Sequence, residues 1–367
     1  MKIALVLQGG VDRSGEYRVI PVLLALIERL AARHEVHVFA LSQEPRPARW
    51  MLRGAHIHNI GSSRAVARAA AEIVREHRCG RFVLVHALWT GTSGMAATLA
   101  ARLLRVPLLV HLTGGELVAK REVGYGQMLY RRWRVLNPWI LRNAARVTAT
   151  SAPIVALAAE WDFIAQRVPL GVDLRSWQVR APQTRDPASP ARLIQIGSLN
   201  RVKDPFTTLE AVRLLRERGR EVVVDFVGED TLACEVQAHA QRLGLARCTH
   251  FAGFRTQSHL RPMLESAHLN VVSSLHEAGP AVMLEAAVAG IPTVGTDVGH
   301  LHEWQPLAAR TFPPRDAVRF ATCIEELLDD ETLRLGIASR AQARAVSEDA
   351  DHTANLFQDL YAEVARG

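Results

Sequence analysis

Residues 270–294 read Asn270-Val-Val-Ser-Ser-Leu-His-Glu277-Ala-Gly279-Pro280-Ala281-Val282-Met-Leu-Glu285-Ala-Ala-Val-Ala-Gly290-Ile-Pro292-Thr-Val294. The apolar run Leu269–Ser273 predicts a short buried strand. Gly279-Pro280 predicts a helix start, since proline is favoured at the first helical position, and the helix then runs Pro280–Ala289. Glu277 falls in the loop and Glu285 on the second helical turn. A helix start presents unpaired backbone amides and the positive end of the dipole, so the amides of Gly279, Ala281 and Val282 suit a phosphate. Carboxylates accept hydrogen bonds from sugar hydroxyls. Eight residues of helix span about 12 Å, the reach of a diphosphate with a sugar at one end and a ribose at the other.

The same strand-then-helix pattern recurs on both sides of this stretch. After it comes Thr293–Gly295; before it come Leu193–Ile196, Val222–Val227 and His250–Ala252, with a helix over Asp204–Arg218. Upstream, Ala181–Pro190 holds three prolines in ten residues and reads as a linker. Before that, the strands Ile3–Leu7, Val36–Leu41, Phe82–Ala87, Leu108–Leu112 and Val147–Thr150 alternate with helices over Val19–Arg33 and within His86–Arg105. Such alternation predicts α/β architecture with parallel sheets. The domains expected are 1–180, a linker 181–190, and 191–346. A tail helix 347–367, with Ser347 as its cap and Leu356, Leu360 and Val364 on one face, is expected to pack toward the first domain.

Length and composition agree with two domains. The chain has 367 residues, 49% hydrophobic and 22% charged, which excludes disorder and fibrous repeats. Cys79, Cys234, Cys248 and Cys323 form no C-x-x-C pair, which argues against a zinc-ribbon or disulfide framework and for a reducing, cytoplasmic setting. The apolar N-terminal run is too short for a signal peptide, and no stretch reaches the ~18 apolar residues of a membrane span. Net charge is +7, and only three of the 44 basic residues are lysines: Lys2, Lys120 and Lys203. A lysine kept in so arginine-rich a chain points to a need for a compact ammonium.

Lys203 lies in Leu193-Ile-Gln-Ile-Gly197-Ser198-Leu-Asn200-Arg201-Val-Lys203-Asp204, a strand, a glycine turn and a helix start. With Glu277, seven intervening residues, Glu285 and Gly290-Ile-Pro292, this pattern resembles the family 4 glycosyltransferases. These are retaining enzymes of the GT-B fold that use nucleotide-diphospho sugars. The resemblance implies two doubly wound Rossmann-like domains facing a central cleft. It implies donor-sugar contact for Glu277, ribose contact for Glu285 and phosphate contact for Lys203. The family's phosphate-binding arginine position is Ser198 here, and Arg201 is the nearest substitute cation. Val227-Gly228-Glu229-Asp230 and Phe251-Ala-Gly253-Phe254-Arg255 close two further strands; backbone near Phe254 is the expected nucleobase contact.

In the first half, the family's glycine-rich loop has two counterparts, Gly9-Gly10 and Ser14-Gly15. Gly15 is preferred because it is expected at a helix start. No G-x-G-x-x-G follows the first strand, which argues against a dinucleotide site. The segment Leu108-Leu-Val-His111-Leu-Thr113-Gly114-Gly115-Glu116 ends a strand where the family shows His-Gly beside the reacting centre. By that register the histidine position is Thr113, and His111 precedes it on the same strand face. His86 and Glu116 are further acceptor-side candidates. Gly171-Val172-Asp173 matches the turn that ends the family's first domain.

Residues 116–146 hold seven basic and two acidic residues, with Tyr125, Tyr130, Trp133 and Trp139 interleaved. Basic and aromatic residues together favour an anionic membrane surface, so 120–146 is an expected peripheral contact on the inner face of the cytoplasmic membrane. A solvated helix face is the plain alternative, and nucleic acid ranks behind both. Asp349-Ala-Asp351 opens the tail helix and is read as helix-start carboxylates rather than a metal motif. The expected activity is transfer of a sugar from a nucleotide-diphospho sugar to a glycan or lipid-linked acceptor. It needs no metal or other cofactor and fits bacterial surface polysaccharide or glycolipid synthesis. A GT-B-fold sugar-nucleotide epimerase and a non-enzymatic nucleotide-binding module are the alternatives.

Overall fold

The computed structural model describes residues 1–61 and 65–366, so Gly367 of the expected tail segment lies outside the described residues. The chain divides into two units, Met1–Asp173 with Glu348–Gly367, and Leu174–Ser347.

The first unit begins β1 (Lys2–Leu7), α1 (Pro21–Ala31), β2 (Glu35–Ala40), β3 (Ala48–Leu52), β4 (Ala55–Asn59) and α2 (Ala65–Cys79). It continues β5 (Leu84–Leu88), α3 (Gly91–Leu104), β6 (Leu108–Leu112), α4 (Arg131–Arg142), β7 (Arg146–Ala149), α5 (Ala152–Ala159) and β8 (Gln166–Arg167). Among the described residues these strands form one sheet in the order β3-β4-β2-β1-β5-β6-β7-β8. Only the β3–β4 pairing is antiparallel. β1 is buried along its whole length, as a central parallel strand covered on both faces must be. Leu23, Leu26, Ile27 and Leu30 of α1 are all buried, so the helical spacing read from the sequence is the face that packs.

The second unit holds β9 (Ala191–Ile196), α6 (Pro205–Glu217), β10 (Val222–Val227), α7 (Glu235–Arg242), β11 (Thr249–Gly253), α8 (Gln257–Glu265) and β12 (Leu269–Val272). Then follow α9 (Ala281–Val288), β13 (Thr293–Thr296), α10 (Gly299–Trp304), β14 (Arg310–Phe312), α11 (Ala317–Asp329) and α12 (Glu331–Ser347). Its strands are all parallel, in the order β11-β10-β9-β12-β13-β14. Strand order reverses between β9 and β12, and the loops leaving their carboxyl ends are where such a sheet binds ligands.

The last helix, α13 (Ala350–Arg366), belongs to the first unit, with Phe357, Leu360 and Tyr361 buried in its core. A tight crossing of chain segments secures it. Gly171 passes so close to the backbone that a Cβ there would lie 2.2 Å from the Glu348 carbonyl oxygen. Beside it, Arg29 bonds Asp173 at 2.8 Å and Asp351 at 2.5 Å. The Gly-Val-Asp turn is therefore needed to let residues 348–351 return.

Three expectations are corrected here. Ser347 is the last residue of α12 and bonds back to the Arg344 carbonyl, so it does not cap the tail helix. Asp349 does so, accepting from the His352 amide at 2.8 Å. The proline-rich stretch 181–190 lies within the second unit, where Arg185 N–H donates to Glu331 at 2.8 Å and the Gln183 carbonyl accepts from Arg334. Gly15 sits in a turn closed by its own N–H on the Asp12 carbonyl, six residues before α1, and Pro21 at that helix start has no N–H. The anion-binding argument for Gly15 fails on that geometry.

Candidate functional site

Lys203 and Glu277 are brought together at the β9–β12 switch point. The loop after β9 is shaped by Asn200, whose Oδ1 accepts from the amides of Val202 and Lys203 at 3.1 and 2.9 Å. Gly197 permits the turn with φ +145°, and a Cβ there would touch the Lys203 side chain at 3.4 Å. Beneath, Ser273 Oγ lies 2.9 Å from the Lys203 carbonyl and 2.8 Å from that of Asp204. Gln195 donates to Ser273 Oγ at 3.0 Å. This buried polar shelf ties the carboxyl ends of β9 and β12 together.

On that shelf the Lys203 ammonium donates to Glu277 Oε1, and Ser274 Oγ donates to the same oxygen at 2.6 Å. The Lys203 side chain is 30% exposed and that of Glu277 12%, so the pair is reachable without being freely solvated. The loop carrying Glu277 is held from behind by Gly299 (φ +53°), where a Cβ would lie 2.7 Å from the Glu277 carbonyl oxygen.

Pro280 is the N-cap of α9 rather than its first helical residue, so Ala281 and Val282 open the helix, both half-buried. Their amides belong to the first turn, which has no intrahelical acceptors. Glu285, one turn on, is 6% exposed. Burial pushes its carboxyl up to about 7. The hydrogen bond from Gln257 Nε2 at 3.1 Å and the neighbouring Trp177 indole pull the other way without overcoming it. Asp204 is likewise raised by burial, partly offset by its bonds from Thr207.

The remaining second-unit candidates divide. Ser198 and Gly279 are half-buried in the same two loops. Arg201 turns away: it pairs with Glu235 at 2.6 Å and lies over the Phe206 ring at 5.7 Å, facing α6 and α7. Phe254 is 49% exposed, one residue beyond β11.

In the first unit, Glu116 organises the loop after β6. Its carboxylate accepts from the Thr113 amide at 2.9 Å and the Gly114 amide at 2.7 Å, and burial raises its pKa against those bonds. Thr113 Oγ1 is buried without a hydrogen-bond partner. His86 and His111 are fully buried. His86 Nδ1 bonds Tyr361 at 2.7 Å, His111 Nδ1 bonds Thr148 at 2.8 Å, and both rings pack on Phe357. Burial lowers both, keeping them neutral. Neither ring is exposed to solvent, because α13 packs over this strand face.

Sequence reasoning did not find Trp177, Gln257, Ser274 or Asn200. Ser273-Ser274 at a strand end and Asn200 in an Asx-turn position were the available signals; Trp177 and Gln257 reach Glu285 only through tertiary packing.

Residues 180–344 match the glycosyl transferases group 1 family and residues 19–171 the glycosyl transferase 4-like domain. The two matches together span most of the chain, which belongs to the glycosyltransferases built from this pair of domains. Among curated proteins it is 28% identical over 200 residues to glycogen synthase of Mycobacterium tuberculosis, covering 54% of this chain and 48% of that protein. The chain thus spans about half the length of this relative. Among solved structures, sucrose-phosphate synthase from Thermosynechococcus elongatus superposes with a TM-score of 0.83 at 18% identity, covering 99% of both chains. Anabaena HepE in complex with UDP and glucose does so with a TM-score of 0.77 at 18% identity, covering 99% of this chain and 100% of that one. The fold is the GT-B class, two Rossmann-like α/β domains.

Proposed function

We propose that the chain transfers a sugar, with retention of anomeric configuration, from a nucleotide-diphospho sugar to a glycan or lipid-linked acceptor. The observation that carries this reading is the Lys203–Glu277–Ser274 cluster at the carboxyl ends of β9 and β12, next to the first turn of α9. Lys203 and the Ala281 and Val282 amides stabilise charge developing on the departing diphosphate, in a site where preorganised donors act strongly. Glu277 accepts from hydroxyls of the donor sugar and Glu285 from those of the ribose. The bond from the sugar's anomeric carbon to the diphosphate breaks, and the acceptor oxygen bonds that carbon on the same face. The acceptor's proton passes to a phosphate oxygen, so no protein base is required. The enclosed His86 and His111 take no part. The Thr113–Glu116 loop is the acceptor-side element, and no metal enters the reaction.

The crystal complex of HepE with UDP makes UDP-sugars the first donors to test. The basic face of α4 adds a peripheral membrane contact: Arg131, Arg132 and Arg134 are exposed, Tyr130 is 57% exposed and Val135 69%. No helix among the described residues is long and apolar enough to cross a membrane. A lipid-linked acceptor would be met at such a surface, as surface-glycan synthesis requires.

The test is a thermal-shift screen of nucleotide sugars. A donor at 100 times its Kd should stabilise the chain by about 2.7 kcal/mol. A screen in which UDP-, GDP-, ADP- and dTDP-sugars all leave Tm unchanged would refute the proposal. Incubating the stabilising donor without acceptor separates an epimerase, which would convert it.

A further inference from the structure

A group of ligating side chains that plays no part in the proposed transfer converges at the β2–β4 edge of the first unit. The parallel register sets His37 opposite His56 and Phe39 opposite His58. Strand alternation puts Glu35, His37 and Phe39 on one face of β2 and His56 and His58 on one face of β4. The Glu72 and Glu76 side chains of α2 meet that face. His37 Nδ1 lies 2.9 Å from His58 Nε2 and 3.7 Å from Glu76 Oε1. One ligand atom from each of the three lies within 4.8 Å of the others. Both rings are 4% exposed.

The outer nitrogens define the inner ones. His37 Nε2 is 3.0 Å from Glu35 Oε1. A carboxylate only accepts, so this nitrogen carries the proton and the neutral ring turns its Nδ1 lone pair inward. His58 Nδ1 is buried without a hydrogen-bond partner, 3.8 Å from Glu72 Oε1. If the His58 proton sits on Nδ1 toward Glu72, two lone pairs confront each other at 2.9 Å. If it sits on Nε2, the inner hydrogen bond forms but a buried acceptor is orphaned. A cation between the rings resolves both: each inner nitrogen gains a partner and each outer N–H turns to a carboxylate, the arrangement that orients metal-binding histidines.

We propose that His37, His58 and Glu76 form a binding site for a divalent transition-metal ion, zinc by preference, that staples β2, β4 and α2 together. Two neutral imidazoles with one carboxylate suit zinc rather than magnesium or calcium. Ligands at ~2.0–2.1 Å from a tetrahedral ion lie ~3.3 Å apart, so the 2.9 Å pair opens and the 3.7 Å pair closes by a few tenths of an ångström, while the His58 and Glu76 ligand atoms, within 4.8 Å of each other, close by up to ~1.5 Å through side-chain rotation. His37, His58 and Glu76 line a surface groove of 460 Å³ together with Met51 and Cys79, from which water could supply a fourth ligand. Lys2 competes, its Nζ lying 3.0 Å from Glu76 Oε1 and 3.4 Å from Glu35. On metal binding it would keep Glu35.

Calorimetric titration of Zn²⁺ into the chelator-stripped full chain tests this. One ion should bind per chain and raise Tm. His58→Gln and Glu76→Gln should weaken binding at least ~tenfold, as should Glu72→Gln through loss of the outer carboxylate. Lys2→Gln should bind more tightly. Circular dichroism checks that the variants fold. Should His58→Gln not fold, zinc-edge X-ray absorption of the unmodified chain decides, two imidazole scatterers being expected. Unchanged binding in folded His58→Gln, or an all-oxygen shell in the unmodified chain, overturns the proposal.

Discussion

The ammonium of Lys203 is ion-paired with the carboxylate of Glu277, 74 residues later in the chain. Adjacency of β9 and β12 makes this possible, and the Gln195–Ser273 shelf fixes the height of both loops. A partly exposed ion pair contributes little to stability, about 0–1 kcal/mol. Holding two opposite charges at a strand-order reversal is better explained by what they do to a ligand.

Lys203→Ala is therefore expected to separate activity from stability. Turnover should fall about 10²–10³-fold, the usual cost of removing one preorganised donor to a developing anion. Tm should stay within a few degrees of the unmodified chain. Steady-state kinetics beside calorimetry checks both, and unchanged turnover would remove Lys203 from the mechanism.

Glu285 gives the site a pH dependence. Burial raises its carboxyl from 4.5 to about 7, so the folded state holds the proton more tightly than the unfolded one. Its contribution to stability is full below about pH 4.5 and is lost as pH rises through about 7. Nucleotide affinity should move the opposite way, improving as the carboxylate forms to accept ribose hydroxyls. Titrating stability and UDP affinity between about pH 6 and 8 in the unmodified chain and in Glu285→Gln checks this, since the variant should flatten both curves and separate them from titration of the phosphate itself.

Much of the fold was legible because its strands are short apolar runs between breakers; Leu108–Leu112 and Val222–Val227 coincide with β6 and β10. β3 and β4 were not, because Arg49, His56, His58 and Asn59 interrupt any apolar pattern, and one of these, His58, is a ligand of the proposed metal site. β8 is two residues long and carries no periodicity at all. The positions of Glu277, Glu285 and Lys203 on loop, helix and turn could be read locally. The enclosure of His86 and His111 could not, since it depends on Phe357 and Tyr361 in the last helix, His86 and Tyr361 being 275 residues apart. The pairing of Arg201 could not be read either, since its partner Glu235 lies on another helix.

Replacing Arg131, Arg132 and Arg134 by Gln should weaken binding to anionic vesicles and leave nucleotide affinity intact. The attraction is screened, so it should fade as salt rises above physiological strength, while a contribution from Tyr130 and Trp133 persists. Vesicle sedimentation with and without anionic lipid, at low and high salt, reads both parts. Equal binding to neutral and anionic vesicles would leave α4 as a solvated face.

Chelation should lower Tm by emptying the His37–His58–Glu76 site but leave turnover at assay temperature intact. Loss of turnover on chelation, restored by Mg²⁺ or Mn²⁺, would place a metal in the reaction and contradict the proposed division of roles.

The donor assignment is tested most directly by calorimetric titration of UDP, and of GDP and ADP if UDP does not bind, into the unmodified chain, Lys203→Ala and Glu285→Gln. One site per chain is expected. Affinity should be lower by about tenfold or more in Lys203→Ala, where a charge-assisted contact worth ~1.5–3 kcal/mol is lost, and lower above pH 7 in Glu285→Gln. Binding of equal strength in all three proteins would contradict the assignment, as would the failure of every diphosphate to bind the unmodified chain.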